Sequence, residues 1–461
     1  MLTILVDNVY SRLVSDDVAP IHAVAKALAV PVPGAKYTKW FRSGRWDGCH
    51  RFLERPSNRC YTGLLPMVRR ALEGAGYRGW NEVDNRACPP AIPGMAYRGP
   101  MLRPYQAQIE KDMRTGGRGI VKAATGSGKT IIAAAAIGDL QRPTLFLVHR
   151  KELATQARDR FREWLTVPIG LIAEGEWSIE APVVVAMIQS LFAAWKDRPK
   201  EVERYLATVG VVIADEAHRA SSNSWEKMLR RIPAFYRFGL SGTPLVRNDV
   251  RDLTLIGLTG ELLADATPRQ LIGEGWLARP QCTFLDAGIV RTEKTDRLSY
   301  PTAYEQLIVS NRARTMAALA IVQSSKHTEH QSLLIVRQLR HGEELHDLSG
   351  IPFVHGQMET EQRKEIYTTF RNGSLRRLIA STIYDEGVDF PNLDVVVNLA
   401  GGKTLVQLFQ RLGRAMHRDD PSQPVFYYDF MDVGQRHLKA HYLKRKRELI
   451  GAELEVVDRN D

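Results

Sequence analysis

The chain has 461 residues, enough for two or three domains with their own apolar cores. Its hydrophobic fraction of 44% and charged fraction of 25% fit an ordinary soluble protein, and no apolar run approaches the length of a membrane span. Four widely spaced cysteines exclude a zinc pair and argue against a disulfide framework, while a net charge of +11 predicts a polyanionic partner, nucleic acid or an acidic membrane.

Leu2 to Val6 reads as a strand, Ile21 to Val30 as a short helix stopped by Pro31, and Pro66 to Gly74 as another helix. Together they predict a small α+β domain over residues 1–96. Residues 1–98 hold 14 Lys or Arg against 8 Asp or Glu. From Lys36 to Arg59, basic side chains interleave with Trp40, Phe41, Trp46 and Phe52, a mixture suited to phosphates beside exposed bases. On that reading Arg42, Arg45 and Trp46 touch DNA. On the other, the tryptophans are simply the core of a small domain. Cys88 to Gly94, rich in proline, is a linker.

Beyond it, strands at Thr144–Val148, Val183–Met187, Val209–Ala214 and Tyr236–Leu240 alternate with helix-like stretches, the rhythm of a parallel α/β domain over residues 97–262. The rhythm restarts at Ser332–Val336, Arg377–Ser381, Val395–Leu399 and Val425–Tyr428, giving a second domain over residues 311–432. Residues 263–310 between them, with a hairpin expected over Thr283 to Lys294, read as a connector or as a DNA-engaging insertion. Arg436 to Arg447 carries six basic residues and no acid. Residues 433–461 are therefore expected as a basic C-terminal helix and tail.

The chemistry begins at Ala123-Ala124-Thr125-Gly126-Ser127-Gly128-Lys129-Thr130, which follows an apolar stretch and opens an alanine-rich helix. Thr125, Gly126, Ser127 and Gly128 can turn sharply and leave backbone N–H groups to cradle phosphate at the helix N-terminus. Lys129 would reach the β- and γ-phosphates of ATP, and the Thr130 hydroxyl would bind Mg²⁺. Ala123 stands where the strict pattern has its first glycine. Asp215 and Glu216 end a second apolar run, the place for a site in such a sheet. Asp215 would hold Mg²⁺, Glu216 would orient the attacking water, and His218 would report nucleotide state. Upstream, Tyr105 would lie against a base and Gln106 would read the adenine edge. Gln407, Gln410, Arg411 and Arg414 share one helical face, either a solvated basic face or a nucleotide sensor with Arg414 as the finger.

These pieces, in this order, resemble the superfamily 2 helicases and translocases over roughly residues 97–432. The resemblance rests on Ala123 to Thr130, Val148 to Leu153, Ile188 to Leu191, Asp215-Glu216-Ala217-His218, Ser241-Gly242-Thr243-Pro244, Glu386 to Asp389 and Gln407 to Arg414. It implies two RecA-like domains in tandem, with ATP and Mg²⁺ between them and nucleic acid across both. It assigns catalysis to Lys129, Asp215, Glu216, Gln410, Arg411 and Arg414, and adds Gly387 and Asp389 to the nucleotide site. The DNA contacts it implies fall on Arg150, Lys151, Gln189, Ser190, Arg337, Ser381 and Thr382. A further arginine of the family's last motif is replaced here by His417, with Arg418 beside it.

At the ends, Trp40 to Gly48 with Tyr61 to Pro66 resembles the N-terminal domain of phage branch-migration helicases of the UvsW type. The stretch His437 to Lys446 is similar to their basic C-terminal helix, with Lys444 and Arg445 as DNA contacts. This resemblance implies work on branched or duplex DNA with replication or recombination partners, in the cytoplasm, a host's if the chain is phage-encoded. The start lacks the basic region of a secretory signal, no membrane role is expected, and a monomer suffices. Three other readings stay open: a restriction-system duplex translocase, an RNA helicase, and a nucleotide-gated scaffold on DNA.

Overall fold

The structure, a computed structural model, describes all residues except 125, 220–222, 243, 246–248, 382–392, 403–415, 417–419, 421, 453 and 460–461. Thr125, Thr243, Thr382, Glu386, Gly387, Asp389, Gln407, Gln410, Arg411, Arg414, His417 and Arg418 therefore lie outside the described residues. The fold is two tandem RecA-like α/β domains with a smaller N-terminal α+β domain and a basic C-terminal helix. It divides into two compact units, Met1–Ala123 with Gly128–Asp265, and Ala124–Ser127 with Ala266–Asp461. No described helix is long and apolar enough to cross a membrane.

The first unit is built on an eight-stranded sheet ordered Glu176–Trp177, Ile169–Ala173, Val183–Met187, Thr144–Val148, Val211–Asp215, Tyr236–Ser241, Arg118–Ala123, Leu262–Ala266. Its inner strands run parallel, with Val211 opposite both Thr144 and Tyr236. Thr144–Val148, Ile169–Ala173 and Val183–Ala186 are buried almost throughout, because helices cover both faces of a parallel sheet. The fully buried Arg237 donates to Leu258 O at 2.7 Å and Leu229 O at 2.8 Å, satisfying late carbonyls of the helices Val250–Thr259 and Asn223–Leu229.

The N-terminal domain has a four-stranded sheet ordered Arg59–Tyr61, Tyr10–Val14, Thr3–Val6, Asn81–Asp84. Alternation along Thr3–Val6 turns Ile4 and Val6 inward toward the helices Val18–Ala27 and Leu65–Gly74. This core is continuous with that of the first α/β domain: Ile4, Leu64 and Val68 belong to one apolar cluster with Leu145, Val212 and Leu255. Polar ties reinforce the join, from Tyr61 Oη to Glu226 Oε1 at 2.9 Å and from Arg230 Nε to Tyr10 Oη at 2.9 Å. Contact is so close at Gly63 that an added Cβ would fall 2.1 Å from the Ile256 carbonyl oxygen.

The second unit has a seven-stranded sheet ordered Phe353–Val354, Arg377–Ser381, Ser332–Val336, Val395–Asn398, Val425–Met431, Pro280–Asp286, Glu455–Arg459. The hairpin expected over Thr283 to Lys294 is not formed. Thr283 to Asp286 instead complete a strand parallel to both Val425–Met431 and Glu455–Arg459, and Glu293–Asp296 is a helical turn. The partners of this strand lie far along the chain, where local sequence does not reveal them. The C-terminal helix Arg436–Gly451 turns Leu438, Tyr442, Arg445 and Leu449 inward, and the strand Glu455–Arg459 after it joins the sheet.

Because the obstruction at Gly63 is backbone rather than a movable side chain, Gly63→Ala should cost about 1–3 kcal/mol by overpacking. The expected result is a lower midpoint in thermal unfolding of the full chain, with Gly74→Ala, which meets nothing within 4 Å, as the control.

Candidate functional site

Parallel strands deliver their following loops to one edge, and the first unit uses that edge throughout. The strand Arg118–Ala123 ends at the glycine loop, Val211–Asp215 ends at the acidic pair, and Tyr236–Ser241 ends at Ser241. Gly126 and Gly128 both have left-handed backbones, φ +85° and +81°, which a side chain would strain. Gly128 then caps the helix Lys129–Leu140, and its carbonyl accepts from Ile132 N at 3.0 Å. Lys129 and Thr130 thus occupy the first turn, where helix N–H groups are unsatisfied and the dipole favours an anion.

Gln106 packs against this loop. A Cβ on Gly128 would lie 2.5 Å from Gln106 Nε2. Gln106 and Tyr105 are both buried at the start of the helix Pro104–Gly116, and Gln106 Oε1 accepts from Arg103 N at 2.9 Å. The side chain expected to meet the adenine is therefore also a strut for the phosphate loop.

Glu216 has φ +52°, a conformation that side chains other than glycine's rarely adopt, and its N–H donates to Asp215 Oδ1 at 3.0 Å. Such strain persists only where the surroundings enforce it, and it commonly marks a working residue. His218 Nδ1 lies 3.2 Å from Glu216 Oε2 and 3.2 Å from Ser241 Oγ. One imidazole thereby links the acidic pair to the end of the neighbouring strand. Burial and the adjacent Glu216 push the Asp215 carboxyl up, against the pull of Lys129. Burial opposes ionisation of Glu216 as well, but the Lys129 ammonium and the His218 hydrogen bond hold that carboxyl down.

The residues expected on DNA distribute unevenly. Arg150 caps the helix Lys151–Trp164, and Gln189 and Ser190 stand in the first turn of Ile188–Asp197, so all leave the same sheet edge as Asp215. Lys151 is exposed but engaged by Glu174 at 2.7 Å. In the second unit Arg337 is exposed just after Ser332–Val336, with its guanidinium 5.3 Å from the Tyr304 ring. Ser381 is buried as the last residue of its strand. In the N-terminal domain Arg42 and Arg45 are exposed, whereas Trp46 is half-buried and its indole N–H donates to Cys49 O at 2.9 Å. Lys444 is exposed.

Arg445 is a correction. It is buried, with Nε and Nη2 each 2.9 Å from Asp429 and Nη2 3.0 Å from Asp432. Its Nη1 donates to Gly402 O at 2.7 Å. Arg314, also buried, shares Asp432 and donates to Leu399 O at 3.2 Å. Burial opposes charge on Asp429, but Arg445 and Asn398 hold that carboxyl below its usual range. Buried and turned onto two carboxylates, this guanidinium is not presented to a phosphate on the surface. Composition hid it, yet the spacing Leu438, Tyr442, Arg445, Leu449 places Arg445 on the apolar face of the helix.

With this geometry in place, comparison with known proteins defines the class: the chain has the fold of the superfamily 2 helicases and is an ATP-dependent enzyme. Residues 100–246 match the family described as "Type III restriction enzyme, res subunit", and residues 302–419 match the "Helicase conserved C-terminal domain". The chain is 27% identical to the DNA 3'-5' helicase XPB of Mycobacterium tuberculosis, covering 85% of this chain and 69% of that one. It is 23% identical to the ATP-dependent DNA helicase uvsW of Enterobacteria phage T4, covering 92% of this chain and 89% of that one. Of some other curated relatives it spans less than two thirds. Among solved structures, the DNA-bound ATP-dependent Type ISP restriction-modification enzyme LlaBIII superposes with a TM-score of 0.61 at 14% identity, over 79% of this chain and 31% of that one, a likeness of fold.

Three variants test these placements. Lys129→Ala should lower ATP turnover by at least a hundredfold while the protein stays folded, because the ammonium whose charge acts on Glu216 is gone. Arg445→Ala should cost about 3–5 kcal/mol of stability, since it strands buried carboxylates, and Lys444→Ala should cost almost none. Thermal unfolding of both variants reads the difference.

Proposed function

We propose that the protein is an ATP- and Mg²⁺-dependent DNA translocase that remodels branched DNA, by branch migration, fork reversal or the processing of D-loops and Holliday junctions. The observation that carries the reading is the shared core of the basic N-terminal domain and the first α/β domain. It puts an accessory basic surface in the same body as Lys129. The sequence likeness to the phage helicase, which runs over 92% of the chain, supports it further.

The residues present fit the nucleotide and its metal. Gly126 and Gly128 turn the chain into the first turn of the helix Lys129–Leu140, whose unsatisfied N–H groups suit a phosphate, and a divalent cation would relieve the crowding of the buried carboxylates Asp215 and Glu216. In this reading Lys129 binds the β- and γ-phosphates, and Asp215 and Thr130 hold Mg²⁺, which neutralises charge on the phosphates. Glu216 orients water. Gln410, Arg411 and Arg414 sense the γ-phosphate, with Arg414 as the finger, and Gly387 and Asp389 couple the nucleotide to the track.

A second reading, the duplex translocase of a restriction system, is favoured by the match of residues 100–246 to a restriction-enzyme subunit. One experiment separates the two. ATP turnover and strand products are measured on fork, four-way junction, linear duplex, single-stranded DNA and RNA, with Glu216→Gln as the inactive control. Branch remodelling predicts turnover highest on junctions, with exchanged strands as products. Equal turnover on linear duplex without such products would favour the restriction-type motor, and preference for RNA would refute both.

A further inference from the structure

Between the paired strands Ala29–Pro31 and Cys49–Arg51, the chain makes an excursion that the nucleotide chemistry does not use. Every residue from Lys36 to Arg45 is exposed. Among them Tyr37 is 69% exposed, Trp40 62% and Phe41 40%. Large rings this accessible in one short stretch are uncommon on a protein surface and mark a binding patch.

The stretch is held by its own bonds. The Thr38 hydroxyl donates to Ala35 O at 2.7 Å and accepts from Phe41 N at 3.3 Å, which caps the turn Lys39–Arg42. Trp40 O accepts from Arg45 N at 3.0 Å and from the Ser43 hydroxyl at 3.1 Å. Gly48, at φ +78°, lets the Phe41 ring lie against its backbone, for a Cβ there would sit 3.0 Å from that ring. Phe41 is therefore the anchor, and Tyr37 and Trp40 are the rings presented outward.

Charge names the partner. No acidic residue occurs between Asp17 and Asp47, and Asp47 is neutralised by Arg51. The Lys36 ammonium lies 5.3 Å from the Tyr37 ring and the Arg45 guanidinium 6.0 Å from the Trp40 ring, with Lys39 and Arg42 exposed alongside. Aromatic faces set among cations suit a strand whose bases stack while its phosphates are neutralised. Paired bases have no free face to offer. We propose that Tyr37 and Trp40 form a stacking platform for unpaired nucleotides of branched DNA, and that this platform, rather than Trp46, gives the N-terminal domain its preference for branches. The inference rests on the remodelling function proposed above and specifies which part of the substrate this surface takes.

The test uses the full chain and three labelled probes: a DNA fork with two unpaired arms, a fully paired DNA duplex, and an RNA fork of the same sequence. Stacking of one base is worth about tenfold or more in affinity to alanine replacement. Tyr37→Ala/Trp40→Ala should therefore bind the DNA fork at least tenfold more weakly while duplex binding stays close to wild type. Trp40→Phe keeps a ring and should retain most of the fork affinity. Turnover on saturating linear duplex should be unchanged, because Lys129 and Glu216 are untouched. Unchanged fork affinity in the double variant, or equal losses on fork and duplex, would overturn the platform. Tighter binding of the RNA fork with the same loss would overturn the assignment to DNA. A wild-type protein whose turnover no DNA stimulates would sink the remodelling reading and this surface with it. Normal stimulation combined with unaltered fork binding in the variant would sink the platform alone.

Discussion

A parallel sheet covered on both faces has only its edges free for polar chemistry, and in this protein that constraint comes before every other. Strands such as Thr144–Val148 are buried along their whole length, so they cannot carry a working side chain except at their ends. Asp215, Ser241 and the glycine loop after Ala123 all emerge at one such edge. The helix Lys129–Leu140 then starts where those ends converge in sequence order, and the field between Lys129 and Glu216 follows from strand direction. His218 ties the edge together sideways, through Glu216 on one strand end and Ser241 on the next.

The second unit solves a different problem with charge. Its C-terminal helix is strongly basic, yet Arg445 sits inside, matched by Asp429 and Asp432, while Arg314 approaches Asp432 from the other side. Two cations and two anions cancel, and the Asn398 amide and the Tyr427 hydroxyl also donate to Asp429 Oδ2. Such a group of charges adds little net stability over an apolar core of equal volume, but removing one member is costly. Its geometric effect is plainer. Side chains hold the carbonyls of Leu399, Ala400 and Gly402, the residues that follow the strand Val395–Asn398.

Much of this was legible from residues alone. Strands Thr144–Val148, Val183–Met187, Ser332–Val336 and Arg377–Ser381 fall where their apolar runs stand, because a strand buried on both faces has no alternative composition. The glycine loop and the acidic pair stand at the ends of buried strands, where the apolar runs before them put them. What the residues did not disclose depended on partners distant in the chain. Thr283 to Asp286 read as one arm of a hairpin, and only their pairing with Val425–Met431 makes them part of an interior strand. Arg445 counts as one more positive charge until Asp429, sixteen positions earlier, is brought beside it. Trp40 and Trp46 look alike in sequence; one bond from the Trp46 indole to Cys49 O separates the inward ring from the outward one.

The close approach at Gly63 has a consequence for movement. With the Ile256 carbonyl lying where a Cβ would be, and one apolar core running from Ile4 to Leu255, the N-terminal sheet has no slack against the helices beneath it. Tyr37 and Trp40 ride on that same body, and so does Lys129. The exposed rings and the lysine thus belong to one packed unit, and a motion of that unit as a whole carries them together, as one load.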